Sequence, residues 1–187
     1  MSVKTYLNNQ FLIAMPNLGD PNFFHTVTFI CQHNADGALG IMINRPADMK
    51  LGDIFKQMDI TPKHPESNNI PIFSGGPVQL ERGFVIHSHG GDWDSTLKVS
   101  EQIALTTSRD ILEAIAMDEG PEQAFIALGY AGWGEGQLEK ELIANAWLNS
   151  PYQQNILFDL PAGQRWSAAA GQIGVDIKSL TTPAGHG

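Results

Sequence analysis

The stretch HTVTFICQHNADGALGIMINRP, residues 25–46, decides the fold class of this chain. Its first part, 25–33, is rich in β-branched and aromatic residues, and its second part, 38–46, is again mostly apolar. The short segment NADG at 34–37 separates the two parts. Two strand-like runs joined by an Asn/Asp/Gly turn predict a β-hairpin, and Pro46 is predicted to end its second strand.

Hairpin-like pairs of strands dominate the first half of the chain, and helices do not alternate regularly with single strands. This order favours an α+β fold with a mostly antiparallel sheet over a doubly wound parallel sheet. The run of turn residues at 19–23 is predicted to be a turn. Strands are predicted at 10–16, 70–78, 82–88, 95–100, 102–108, 123–132 and 155–161, and about four helices at 51–58, at 108–120, from Gln137 to Trp147 and at 163–174.

The length and composition predict one domain that spans residues 1–187. With 187 residues and 42% hydrophobic residues, the chain can bury a sizeable core. The segment 61–69 holds two prolines and many polar residues, which predicts an exposed loop. Residues 181–187 are predicted to form a flexible tail.

The charge pattern argues against direct nucleic-acid binding. The formal net charge is −9, and residues 101–141 carry nine acids and two bases. The eleven basic residues are scattered, whereas nucleic-acid binding usually leaves a basic stripe. No apolar run is long enough to span a membrane. The single cysteine, Cys31, excludes an internal disulfide, and we expect a cytoplasmic protein.

The glycine-rich stretch LGYAGWGEGQLEKEL, residues 128–142, raises the question of a phosphate site. Neither a phosphate-loop lysine nor the dinucleotide spacing G-x-G-x-x-G is present. Its glutamates would also repel an anion. We therefore interpret the stretch as a strand-to-helix turn in which the glycines allow close backbone approach.

Two further constellations are candidates for chemistry. In HSHGGDWD, residues 87–94, His87 and His89 share a strand face near two aspartates. The segment lacks the acid spacing and the third histidine of the metallo-hydrolase pattern H-x-H-x-D-H, so no metal site is predicted. Arg45 and Arg82 are placed near strand ends, where an arginine can bind a carboxylate or a phosphate, although a structural ion pair with an acidic residue explains them better.

The motifs FLIAMP, DPNF, GIMINRP, SGGPV, RGFVIH, TTSRDIL, LGYAGWGEGQLEKEL, NAW and ILFD follow one another along nearly the whole chain. Together they closely resemble the bacterial AlgH/YqgE family. The resemblance implies an α+β domain of bifurcated, coiled β-sheets with flanking helices in the bacterial cytosol. It also implies a role in regulating alginate production, from which the name AlgH comes. It implies no catalytic set and no cofactor.

We predict a binding or regulatory domain that acts indirectly on gene expression, through a protein partner with a basic face or through a small molecule. No cofactor, metal, direct nucleic-acid contact or membrane contact is expected. The alternative is a hydrolase-like enzyme in which His87, Arg45 and Arg82 converge on one pocket. The candidate ligand or partner surface comprises Asn44, Arg45, Gly75, Gly76, Arg82, His87, Tyr130, Trp133 and Gln137.

Overall fold

A computed structural model describes residues 6–15, 23 and 25–174 of the chain. Apart from Phe23, the predicted turn at 19–23 lies outside the described residues, as does the predicted tail at 181–187. In chain order the elements are β1 Gln10–Ala14, β2 Val27–Asn34, β3 Gly37–Met42, β4 Pro46–Lys50, α1 Leu51–Gln57, a 3-10 helix Pro65–Asn69, β5 Pro71–Ser74, β6 Val78–Ser88, β7 Thr96–Lys98, β8 Ile103–Thr106, α2 Arg109–Ala116, β9 Ala124–Trp133, α3 Gln137–Ile143, β10 Trp147–Pro151, α4 Gln154–Phe158 and α5 Ala162–Gly171.

The chain divides into two compact units. One comprises residues 1–44 and 131–187, and the other comprises residues 45–130. Strand β9 contributes its first seven residues to the 45–130 unit and its last three to the other unit.

In the first unit the strands follow the order β10-β1-β2-β3-β9, and all of these pairs are antiparallel. The predicted hairpin is confirmed, since β2 pairs with β3 across a turn at Asn34–Gly37. A core cluster that includes Leu12, Ile30 and the two tryptophans Trp133 and Trp147 stabilises this unit.

In the 45–130 unit, β9 lies between β5 and β6. It pairs in parallel with β5 and antiparallel with β6, while β6 continues to β8 and β7. Leu51, Ile54 and Phe55 of α1 and Ile111 of α2 pack with Ile72, Val85 and Ile126 of the strands in a separate core cluster. The α+β fold class with mostly antiparallel pairing is confirmed.

Three predictions are wrong. The second strand of the hairpin ends at Met42, and Pro46, which was predicted to end it, begins β4 instead. The segment 155–161, predicted as a strand, forms the short helix α4 instead, in which Ile156 and Leu157 are buried side by side. The helix predicted to run on to Trp147 ends at Ile143, because Asn145 adopts a left-handed φ of 60°. Trp147 then begins β10, which was not predicted.

The segment 61–69, predicted as an exposed loop, contains a 3-10 helix that has no buried residue. Within the described part of the chain, no helix combines the length and the apolar character needed to cross a membrane.

Candidate functional site

A cavity of about 460 Å³ lies on one face of the sheet in the 45–130 unit. Gly83 of β6 is paired with Leu128 of β9, and Val85 is paired with Ile126. Because side chains alternate along a strand, these four positions share a face. Val85 and Ile126 are each only 3% exposed, whereas Gly83 and Leu128 are half-buried. The cavity therefore opens at Gly83, because the absence of a side chain there leaves Leu128 partly exposed.

Neither strain nor crowding requires a glycine at position 83. Its φ does not lie in the left-handed region, and a Cβ added there would have no neighbouring atom within 4 Å. A glycine inside a strand weakens the strand and often marks a place where a ligand approaches closely. The glycine at position 83 is thus explained by the open space beside Leu128, which a larger side chain would fill.

Apolar side chains from three further elements complete the walls. Met49 comes from β4, Met58 caps α1 and Leu112 lies in α2, and all three are half-buried. The exposed residues Gln57, Glu81 and Arg109 also line the cavity. A mostly apolar pocket with a few polar groups, in a volume within the usual range of about 300–1,000 Å³, is typical of a small-molecule site.

On the same face of β6, four residues beyond Gly83, His87 is buried and held by two hydrogen bonds. Its Nδ1 lies 2.9 Å from the carbonyl of Ser88, which can only accept, so Nδ1 carries the proton. When the ring is neutral, Nε2 accepts a hydrogen bond from the Thr106 hydroxyl at 2.7 Å. Burial lowers the pKa of His87, the hydrogen bond to Ser88 opposes this shift, and the nearby His89 adds to it. Thr106 lines the cavity, whereas His87 does not.

Two of the three residues of the hydrolase alternative lie far apart on the same strand. Arg82 and His87 are five residues apart on β6, which is about 16 Å of strand and places them on opposite faces. Arg82 is exposed, with its guanidinium 5.3 Å from the Phe84 ring centroid. Arg45 is half-buried, and its carbonyl accepts from the amide of Ser74. None of the three lines the cavity, so they do not converge on this pocket.

Gly75, Gly76 and Tyr130 belong to the contacts between β9 and its neighbours. The amide of Gly75 donates to the carbonyl of Leu128 at 2.8 Å. A Cβ at Gly129, which has a φ of 79°, would lie 2.5 Å from the carbonyl oxygen of Gly76. Tyr130 packs edge-on against Phe84 with ring centroids 5.5 Å apart. Close approach of the Gly76 carbonyl explains the glycine at position 129.

Asn44, Trp133 and Gln137 lie in the other unit and make internal contacts there. The Asn44 side chain accepts from the amide of Val27 and donates to the carbonyl of His25, both at 2.9 Å. Gln137 accepts from the amide of Gly134 and donates to Glu141. The indole of Trp133 donates to Glu141 as well. These contacts give the three residues structural roles.

The HSHGGDWD segment does not assemble a metal-ligand set. His89 is exposed, and its Nε2 donates to the carbonyl of Ser100 at 3.1 Å. Among the residues that the structure describes, no group of three or more His, Cys, Asp or Glu side chains is placed to hold a metal ion.

A family model described as AlgH-like matches residues 11–178, which is most of the chain. The chain belongs to the AlgH-like family. The resemblance stated from the motifs is therefore confirmed.

Relatives and solved structures agree with this membership. The chain is 59% identical to a UPF0301 protein of Methylococcus capsulatus over 100% of this chain and 99% of that protein. It is 55% identical to a UPF0301 protein of Thioalkalivibrio sulfidiphilus over the full length of both. The solution structure of the AlgH protein from Pseudomonas aeruginosa is 49% identical and matches with a TM-score of 0.82, covering 100% of this chain and 99% of that one.

A more distant structure shows how far the fold extends. A protein from Corynebacterium diphtheriae is 15% identical and has a TM-score of 0.74, with 98% of this chain and 95% of that chain covered. This likeness concerns the fold alone.

The sequence-based surface missed the cavity of this AlgH-like chain. Its lining residues Met49, Met58, Arg109 and Leu112 come from separate helices and strands, and each reads locally as part of an ordinary amphipathic element. Gly83 carried the one available signal, because an isolated glycine inside a strand pattern indicates a bulge or a close approach.

Proposed function

We propose that this AlgH-like protein is a cytoplasmic binding or regulatory protein whose 45–130 unit takes a small molecule in the cavity beside Gly83. The observation that supports this proposal most strongly is the open Gly83–Leu128 pair next to the buried Val85–Ile126 pair. Half-buried methionine and leucine side chains around it stay in contact with water until an apolar group covers them.

An effect on gene expression would be indirect in this proposal. The scattered basic residues offer no stripe for the phosphate backbone, which supplies most of the affinity of nucleic-acid binding. A small molecule bound in the cavity would instead change how this protein binds another component of the cell.

The test is to fill the cavity from Gly83. Gly83→Leu places an apolar side chain beside Leu128 without a left-handed backbone, and its Cβ has no neighbouring atom within 4 Å. It also removes a glycine from the middle of a strand. A glycine there destabilises a protein by roughly 0.5–1 kcal/mol relative to alanine, so its replacement should be stabilising. We therefore expect a variant with a melting temperature equal to or above that of the wild type and with its ligand binding abolished.

A thermal-shift screen of apolar and amphipathic small molecules reads out this test, since ligands that bind the native state raise the melting temperature. Gly163→Leu is the matched control, because Gly163 is exposed in α5 and also has open space around an added Cβ. Compounds that shift the wild type should shift Gly163→Leu and leave Gly83→Leu unmoved. Equal shifts for all three proteins would show that the cavity is not the site.

A protein partner with a basic face is the second candidate. Of the nine acids in 101–141, Glu101, Asp110, Glu139 and Glu141 hydrogen-bond within the fold. Glu113, Asp118, Glu119 and Glu122 are exposed on α2 and in the segment that follows it. Such a cluster attracts a basic surface in a salt-dependent way.

The double variant Glu119→Gln, Glu122→Gln should weaken capture of a basic partner at low salt. Unchanged capture would contradict a role for these exposed acids.

A further inference from the structure

Arg109 is the lining residue that brings a fixed positive charge to the cavity. Its Nη2 donates to the carbonyl of Met58 at 2.6 Å, and its Nε lies 3.8 Å from a carboxylate oxygen of Glu113. These two contacts hold the side chain, which is still 52% exposed. No further hydrogen bond or ion pair of Arg109 occurs among the described residues, so Nη1 keeps donors for another group.

The residue before the N-cap of α2 adds a second polar group. Thr107 lines the cavity, and its hydroxyl makes no hydrogen bond within the described part of the chain. Its neighbour Ser108 differs, because its hydroxyl donates to Asp110 at 2.5 Å and accepts from the amide of Ser95. A guanidinium beside a hydroxyl can bind a carboxylate through charge-assisted hydrogen bonds.

Glu81 brings the opposite charge to the lining, so the cavity presents one negative and one positive side chain. Glu81 lies in the irregular part of β6 between Val78 and Gly83 and makes no ion pair or hydrogen bond among the described residues. Arg109 is held by two contacts and loses less side-chain freedom on binding than a long side chain that has none. The geometry therefore favours an anion on Arg109 over a cation on Glu81.

The rest of the cavity fits an apolar body. Met49, Met58, Leu112 and Leu128 are half-buried around Gly83. Methionine side chains are unbranched and adapt to irregular shapes. An aliphatic or aromatic group placed over Gly83 would cover all four.

We infer that the cavity takes a small amphiphile with a single carboxylate, which binds Arg109 while its apolar body lies over Gly83. This inference rests on the proposed function, because it names the class of ligand for the same cavity.

Three eight-carbon probes of equal length test the charge: octanoate, 1-octanol and octylamine, each below the concentration at which it aggregates. Affinities are measured by titration calorimetry or by NMR chemical-shift titration. For the wild type we expect octanoate to bind about tenfold more tightly than octanol, the effect of one charge-assisted contact in a partly exposed site. Octylamine should bind more weakly than octanol.

Arg109→Gln should reduce the affinity for octanoate to that for octanol while octanol binding is unchanged. The unchanged octanol affinity shows that the variant has kept its cavity. Glu81→Gln is the matched charge control on the same lining, and it should bind octanoate at least as tightly as the wild type does.

The outcomes separate this inference from the proposed function. Equal binding of octanoate and octanol, a preference for octylamine, or an Arg109→Gln variant that still prefers octanoate would overturn the carboxylate while leaving the cavity as a binding site. If none of the three probes binds and Gly83→Leu behaves like the wild type in the ligand screen, the proposed function itself fails.

Discussion

Glu141 shows how a single acidic residue of the charged stretch is used inside the fold. Its Oε1 accepts the indole N–H groups of Trp133 at 3.0 Å and of Trp147 at 2.8 Å, and its Oε2 accepts from Gln137 at 2.9 Å. Both tryptophans are buried, so one carboxylate satisfies two polar groups that have little access to water.

Glu141→Ala is expected to destabilise the protein. A buried donor without a partner costs about 1–3 kcal/mol, and the variant leaves two such indoles. Urea unfolding followed by tryptophan fluorescence should show a lower midpoint with an unchanged slope. Glu135→Ala, an exposed glutamate six residues earlier, is the control and should keep the wild-type midpoint.

His87 is expected to make stability depend on pH. Since burial lowers the pKa of His87 in the folded protein below its ordinary value of 6.5, the unfolded chain binds the proton more readily. Stability is therefore fully present above about pH 6.5 and falls as the pH drops through and below this value. In His87→Asn the melting temperature should fall less steeply between about pH 7 and 5.

NMR titration of the histidine ring signals checks the cause directly. The His87 ring should titrate below about 6.5 and carry its neutral-state proton on Nδ1. A midpoint at or above that value, or an unchanged pH dependence in His87→Asn, would contradict the assignment.

At the scale of the elements, the glycine-rich stretch ends one strand and begins one helix. Gly129 lies inside β9, and Gly136 is the N-cap of α3. Both adopt left-handed backbones, with φ of 79° and 72°. They differ in their surroundings, because an added Cβ meets the Gly76 carbonyl at position 129 and meets nothing within 4 Å at position 136.

A pair of alanine variants separates these two effects. Gly136→Ala should lower the free energy of unfolding by about 1–2 kcal/mol, the cost of a left-handed backbone at a residue with a side chain. Gly129→Ala should lower it by more, since the β5 and β9 region must also move apart. Equal losses, measured by chemical denaturation, would mean that close approach to Gly76 adds nothing.

The sequence predicts most elements because their patterns are local. Residues 25–46 form the predicted hairpin, and 108–120 contain the predicted helix. The errors have physical causes: a short apolar run such as NILF fits a strand or one helical turn equally well. Asn145 carried a usable stop signal, because asparagine readily takes the left-handed conformation that ends a helix.

At the scale of the whole molecule, the chain comprises two units with separate core clusters. The prediction of one domain over 1–187 rests on length, which does not show that residues 45–130 pack mainly among themselves. The cavity was equally out of reach, because it depends on which faces of β4, α1, β6, α2 and β9 meet. Such long-range contacts are not encoded in local periodicity.

A fragment spanning Arg45–Tyr130 is expected to fold on its own. It keeps β4 to β8, most of β9, both helices and the whole core cluster of its unit. A dispersed proton–nitrogen NMR spectrum and cooperative thermal unfolding would show this. Binding of the same small molecules as the full chain would show that the cavity is intact, whereas a spectrum typical of a disordered chain would contradict the independence of the unit.

Residues 45–130 emerge from the ribosome before the other unit can be completed. Strand β1 must wait for its partner β10, which is made more than a hundred residues later, while every partner within the 45–130 unit comes from one uninterrupted segment. Domains generally fold as units during synthesis. The nascent 45–130 segment should therefore reach its native structure first. Until β10 is made, the β1 edge of the strand pair β1–β2 has no partner. An unpaired edge can aggregate, so this is the interval in which we expect a chaperone to bind.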